Sequence, residues 1–249
     1  MENKIVVHAY FLCFNEEYIL PHLLKHYSKF CEKIVFLDNY STDNSKEIIN
    51  SFPNTEIITW NSGGQVRDDL YLELKNNVWK KSRGVADYVI VGDADEFLYH
   101  PNFESFLEES KKNGYTIFKP EGYYMIGDEN LELEEDDQLF DLVKEGIRGE
   151  SNDKLMLFDC NKIDEINYMF GCHMSNPVGK IKLFQNSDLK MLHFKYLGLK
   201  DFIPKQLLRG KRLSFFNRLN QLGTYYLYTE KEHRKEYQTF IKKRKQVIC

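Results

Sequence analysis

The chain has 249 residues, of which 42% are hydrophobic, 29% charged and 14% aromatic, and 34 Lys/Arg against 38 Asp/Glu leave a formal net charge of −4. These proportions exclude collagen-like, low-complexity and disordered chains, and no uncharged apolar run approaches the ~18–20 residues that span a bilayer. Residues 1–10 carry no signal-peptide pattern, and five cysteines (Cys13, Cys31, Cys160, Cys172, Cys249), odd in number and scattered, point to a reducing, cytoplasmic setting.

Residues 5–12 are apolar, β-branched and aromatic, and predict a strand. Asn15-Glu16-Glu17 then opens a helix, its carboxylates favourable at the N-terminus, with Ile19, Leu20, Leu23 and Leu24 on one face and Pro21 in the first turn. Residues 33–38 predict a second strand. A polar turn follows, in which Thr42 or Asp43 caps a helix through Ile48 and Ile49. Residues 55–60 predict a third strand and 61–64 a loop. Residues 67–83 predict a helix with Leu70, Leu74, Val78 and Trp79 inward. Residues 87–92 are nearly continuous in apolar side chains, as a parallel strand buried on both faces requires. Four strands with intervening helices predict an open α/β sheet, whose ligands sit beyond the carboxyl ends of its strands.

Residues 103–112 predict a helix and 115–120 a strand. Residues 128–141 hold eight carboxylates and predict an exposed segment. Residues 154–158, 180–184 and 190–196 predict strands, and helix dominates from Leu199. No repeat or linker divides the chain. From Lys195 onward there are 14 Lys/Arg against 4 Asp/Glu, a surplus of ten, so residues 1–194 carry a surplus of fourteen negative charges. A basic end of this kind suits a phosphate-bearing or anionic partner, or a solvated helical face.

Asp93-Ala94-Asp95-Glu96-Phe97 ends the fourth predicted strand. Two carboxylates one residue apart repel each other, and a shared hard divalent cation resolves that repulsion while leaving positions for substrate phosphates. Together with Asn15-Glu16-Glu17 and Leu37-Asp38-Asn39-Tyr40-Ser41-Thr42-Asp43-Asn44, this motif resembles the family-2 type GT-A glycosyltransferases, in the subgroup with Asp-x-Asp-Glu-Phe. Asn39 and Tyr40 stand where the usual pattern has Asp and Gly. Gly171-Cys172-His173, residues 192–198 and residues 211–214 resemble bacterial members of that subgroup.

The resemblance implies a GT-A (Rossmann-like) open, mostly parallel sheet flanked by helices with a helical C-terminal extension. It implies one domain, with a nucleotide-binding half over 1–100, an acceptor and metal half over 101–198 and a basic helical tail over 199–249. It implies transfer of a sugar, with inversion, from a nucleotide-sugar donor, a UDP-sugar foremost, to a glycan or lipid-linked acceptor in surface polysaccharide synthesis such as lipopolysaccharide or capsule. Asp38 would bind the base or ribose, and Asp93, Asp95 and His193 would hold Mn²⁺ or Mg²⁺ against the diphosphate. Cys13, Asn15, Arg67, Lys75, Ala94, Lys195 and Lys211 are further candidates for the donor, with Arg209 and Arg212 as added positive charge. His173, Asp141 and Glu96 are candidates for the general base.

Two other readings compete. A nucleotidyltransferase would want a Gly-rich basic loop after the first strand, where this chain has Phe14-Asn15-Glu16-Glu17. A non-catalytic glycan-binding module would not need Asp38, Asp93, Asp95 and His193 together. No G-x-G-x-x-G follows the first strand, which disfavours a dehydrogenase, and the overall acidic balance argues against nucleic acid. The basic C-terminal helix is a candidate for peripheral contact with the inner face of an anionic membrane.

Overall fold

The structure, a computed structural model, describes residues 4–248; Cys249 and residues 1–3 lie outside the described residues. The elements are, in order, β1 (Val7–Cys13), α1 (Leu20–Tyr27), β2 (Lys33–Asp38), α2 (Ser45–Asn50), β3 (Thr55–Thr59), α3 (Asp68–Asn77), β4 (Tyr88–Asp93), β5 (Glu96–Tyr99), α4 (Phe103–Lys112), β6 (Ile117–Ile126), α5 (Leu139–Leu142), β7 (Glu145–Arg148), β8 (Leu157–Asp159), β9 (Ile163–Glu165), β10 (Val178–Gly179), β11 (Leu183–Tyr196), α6 (Leu199–Arg212), α7 (Phe215–Leu219), α8 (Glu230–Lys243) and β12 (Lys245–Gln246).

Among the described residues, ten strands form one mixed sheet in the order β12-β7-β6-β8-β4-β1-β2-β3, with β11 pairing both β5 and β6. The first half, β3-β2-β1-β4, is parallel throughout. In the second half β5, β7, β8 and β12 join antiparallel, while β11 runs parallel to β6. The architecture is an α/β, Rossmann-like sheet flanked by helices.

The apolar runs of β1 and β4 have their cause in burial on both faces. Val7, Ala9, Phe11 and Cys13 of β1 point to one side, where they meet Leu20, Leu23, Leu24 and Tyr27 of α1 and Phe103 and Phe106 of α4 in one cluster. Tyr10, Val35, Leu37, Val89 and Val91 point to the other side, into a cluster with Val78 and Trp79. A third cluster, Ile126, Tyr196, Phe202, Ile203 and Tyr237, fastens α6 and α8 to the sheet.

Several elements differ from expectation. The helix expected over 67–83 is regular only to Asn77, continuing as a 3-10 turn over Val78–Ser82. Val78 and Trp79 are buried as expected, but Leu70 and Leu74 are half-buried, and the buried residue of α3 is Lys75. The two strands expected at 180–184 and 190–196 are one strand, β11, whose register with β6 shifts between Gln185 and Lys190. No helix among the described residues is long and apolar enough to cross a membrane.

Candidate functional site

β1 pairs in parallel with both β2 and β4, so the loops that follow these strands meet at one edge. Asn15, at a positive φ of 53°, turns the first loop away from the strand. Its amide donates to Ser41 Oγ at 3.0 Å, and its Oδ1 accepts from the Thr42 amide at 2.8 Å. Glu17 accepts from the Asn44 amide and side chain at 3.0 and 2.8 Å. Asn15 and Glu17 therefore tie the first loop to the second, and Glu16 between them lines a cleft of about 410 Å³.

β4 delivers Asp93-Ala94-Asp95 to the floor of that cleft. Asp93 pairs with Lys75 at 2.7 Å and lies 3.9 Å from Lys154. Lys154 also pairs closely with Glu96, which accepts from the Asp93 amide at 3.1 Å. Burial raises the Asp93 carboxyl, but Lys75 and Lys154 outweigh it and hold it below the usual range. Asp95 is 3% exposed. Burial raises it too, and His193, Arg209 and Lys205 reverse the effect and hold it well below the usual range.

β11 carries His193 in from nearly a hundred residues away. Its pairing with β5 sets His193 opposite Glu96, and this places the His193 Nε2 3.4 Å from Asp95 Oδ1. Neighbouring ligands of an octahedral cation stand about 3 Å apart. One carboxylate and one imidazole at the wall of an open cleft are donor types that could hold a divalent cation. Among the described residues no group of three His, Cys, Asp or Glu converges.

α6 forms the opposite wall. Lys205 pairs with Glu16 at 2.5 Å, and Arg209 stands 3.4 Å from Glu16 and 3.7 Å from Asp95. Burial lifts the Glu16 carboxyl to about 7 against the pull of Lys205 and Arg209. Arg212 lays its guanidinium 3.3 Å from the centre of the Phe14 ring and donates to the Gly64 carbonyl at 2.9 Å. The lining carboxylates are Glu16, Asp68, Asp93 and Asp95, with Glu96 behind Lys154; the lining cations are Lys75, Lys154, Lys205, Arg209 and Arg212.

Of the expected site residues, Cys13, Asn15, Lys75, Asp93, Ala94, Asp95, His173 and His193 line the cleft. Six do not. Asp38 is buried, its carboxylate accepting from the Ser41 amide at 3.2 Å and facing Lys46 at 3.3 Å, so it shapes the turn while its neighbour Asn39 lines the cleft. Arg67 forks onto Asp69. Glu96 is sealed beneath Lys154. Asp141 is exposed and faces Lys144 at 3.5 Å. Lys211 lies on the outer side of α6. Lys195 sits 4.5 Å from the Tyr225 ring centre and is pushed down to about 8 by burial, with Arg209 adding to the effect. Lys154, Lys205 and Tyr71 line the cleft without having been singled out in the sequence. A buried lysine carries no local signature.

No family model matches the chain, and no curated protein matches it. Among solved structures it is similar to S. aureus TarS 1-349, at 13% identity over 84% of this chain and 65% of that one, with a TM-score of 0.47. That protein has also been solved in complex with UDP-GlcNAc. The chain is similar to glucosyl-3-phosphoglycerate synthase from Mycobacterium tuberculosis, in complex with Mn²⁺, UDP and glucosyl-3-phosphoglycerate, at 15% identity over 48% and 44% with a TM-score of 0.34. The corresponding values for mannosyl-3-phosphoglycerate synthase from Rubrobacter xylanophilus are 15%, 47%, 40% and 0.35. The chain spans less than two thirds of the length of each.

Proposed function

We propose that this chain is a divalent-metal-dependent glycosyltransferase that moves a sugar from a nucleoside-diphosphate donor to a hydroxyl of a glycan or lipid-linked acceptor in surface-glycan synthesis. One observation carries the reading. The Asp93-Ala94-Asp95 turn opens into a cleft that faces His193 on one side and the cationic wall of α6 on the other. The charge pairing within the cleft supports it as well. Four carboxylates and five cations line the cleft, and Lys75, Lys154 and Lys205 are each already paired with a carboxylate, so an entering diphosphate needs added positive charge.

Asn39, Trp60 and Tyr71 line the end of the cleft reached from β2 and β3 and would receive the base. Lys205, Arg209 and Arg212 would take the diphosphate oxygens, the arginines by their planar forks. A Mn²⁺ or Mg²⁺ ion held by Asp95 and His193 would supply Lewis-acid stabilisation of the departing diphosphate. Lys75 and Lys154 keep Asp93 ionised and fix the turn that presents Asp95.

His173 is the base this geometry favours. Its Nδ1 lies 2.8 Å from the Ser151 carbonyl, an acceptor, so Nδ1 carries the proton and Nε2 keeps its lone pair. Burial lowers its pKa, and Lys154 lowers it further, so the ring stays neutral near pH 7. Nε2 would take the proton of the attacking hydroxyl.

The test is calorimetric titration with UDP, GDP, CDP and dTDP, each with and without Mn²⁺. One diphosphate should bind only with metal, and Asp95→Asn should weaken it by at least the roughly 10–100-fold that lesser changes around a metal cost. If none of the four binds, the transferase reading fails.

A further inference from the structure

A second cavity, of about 500 Å³, lies on the far side of α6 between that helix and the start of α8. Leu199, Ile203, Pro204, Leu207 and Leu208 line it at the spacing of one helix face. The polarity of α6 is inverted here: Gln206 is fully buried with neither amide atom partnered, while Leu208 is 37% exposed. Other apolar side chains of the C-terminal part are exposed as well. Leu227 and Tyr228 are 46% exposed beside the α8 N-terminus, and Phe215 and Leu219 on α7 are 78% and 70% exposed.

Positive charge frames this face. Lys211 lines the groove, with Lys200 and Arg234, whose partners are the surface carboxylates Glu132 and Glu230. Lys231, Lys235 and Lys242 lie along the exposed side of α8, with no carboxylate within salt-bridge distance among the described residues. Pro204 has no amide proton, so the Lys200 carbonyl loses its helical partner at the groove. Leu208 lines both this groove and the catalytic cleft, so the two join across one side chain.

We propose that this face docks on an anionic phospholipid bilayer, one acyl chain entering the groove while the lysines of α8 meet the headgroups. Apolar side chains flanked by cations on one surface are what an interfacial contact requires. Such docking would set the mouth of the cleft at the membrane. It rests on the transferase reading only for its purpose, because vesicle binding is measured with neither donor nor acceptor present.

The experiment is vesicle flotation of the full chain. Phosphatidylglycerol vesicles should carry it at low salt, and phosphatidylcholine vesicles should not. Lys231→Glu/Lys235→Glu should weaken binding by more than about twentyfold, since each lysine near an anionic surface contributes about fivefold. Pro204→Glu places a carboxylate in the groove at an exposed helical position that glutamate suits, and it should abolish flotation while leaving metal-dependent diphosphate binding intact. Absence of flotation with phosphatidylglycerol overturns the proposal. So does flotation that Pro204→Glu leaves unchanged, which would mean charge adsorption without chain entry. Self-association abolished by Pro204→Glu, without flotation, would assign the groove to a second copy and also overturn it.

Discussion

Glu16 sets the charge balance of the cleft, and its titration should be visible in stability. Its side chain is 7% exposed and faces Lys205 and Arg209. Folding raises its pKa from 4.5 to about 7, chiefly by burial. Between those values the folded state binds more protons than the unfolded state, so this group's contribution falls as pH rises through the window and is level outside it. The full change amounts to about 3 kcal/mol. His26 runs the opposite way. Burial lowers its pKa from 6.5 to about 4, so its contribution is lost as pH falls through that range. The two offset each other in the wild-type curve. Subtracting the curve of Glu16→Gln isolates the carboxyl. In urea denaturation from pH 4.5 to 7, wild-type stability relative to the variant should fall by about 3 kcal/mol. A flat difference would mean that Glu16 titrates normally.

The wall of the cleft depends on how closely α6 meets the 3-10 turn over Thr224–Leu227. A Cβ at Gly210 would stand 2.2 Å from the Tyr226 carbonyl oxygen, a backbone atom that cannot swing aside. The Tyr226 ring in turn faces the Arg209 guanidinium at 5.7 Å. Gly210→Ala gains about 1 kcal/mol of helix propensity, and overpacking of this kind costs about 1–3 kcal/mol. The net expectation is a thermal midpoint lower by about 2–4 °C, with weaker diphosphate binding because Arg209 moves. A raised midpoint would refute the close packing. A glycine within the helical stretch was readable in the sequence; its reason, sixteen residues further on, was not. The same contrast holds across the elements. β2 and α4 occupy the residues the apolar pattern predicted, because each buries a regular face. β5 is four residues long and abuts the Asp93-Ala94-Asp95 turn, too short to show a period. β11 reads as two strands because Asn186 and Asp188 form a local polar turn within it.

The site was legible where chemistry and strand ends coincide, and illegible where tertiary burial alone selects a residue. Asp95 and His193 stood out by motif, and the β5–β11 register joins them. Lys75 was a candidate by its place on the helix before β4, but Lys154 and Lys205 are two among 34 basic residues, and only folding distinguishes them. The tail shows the same limit. Its charge surplus reads as a solvated helix or an anionic contact, yet much of it folds back on the acidic body. Arg244 meets Asp128 and Glu145, each at 2.7 Å, β12 pairs with β7, and Ile248 is 3% exposed within the main core cluster. Each exposed ion pair is worth little, so the apolar anchor should dominate. Ile248→Ala should then cost about 2 kcal/mol, the low end for such truncations because a chain end relaxes easily. Lys242→Ala, on an exposed position of α8, should stay within about 0.5 kcal/mol. Urea denaturation of both variants decides. A loss confined to Ile248→Ala makes the tail part of the cooperative fold, so that α6 and its cations are held in place from both ends. Equal midpoints would mean that α6 is fixed by its own contacts with β11 and α8, and that the residues after α8 contribute nothing to the cleft.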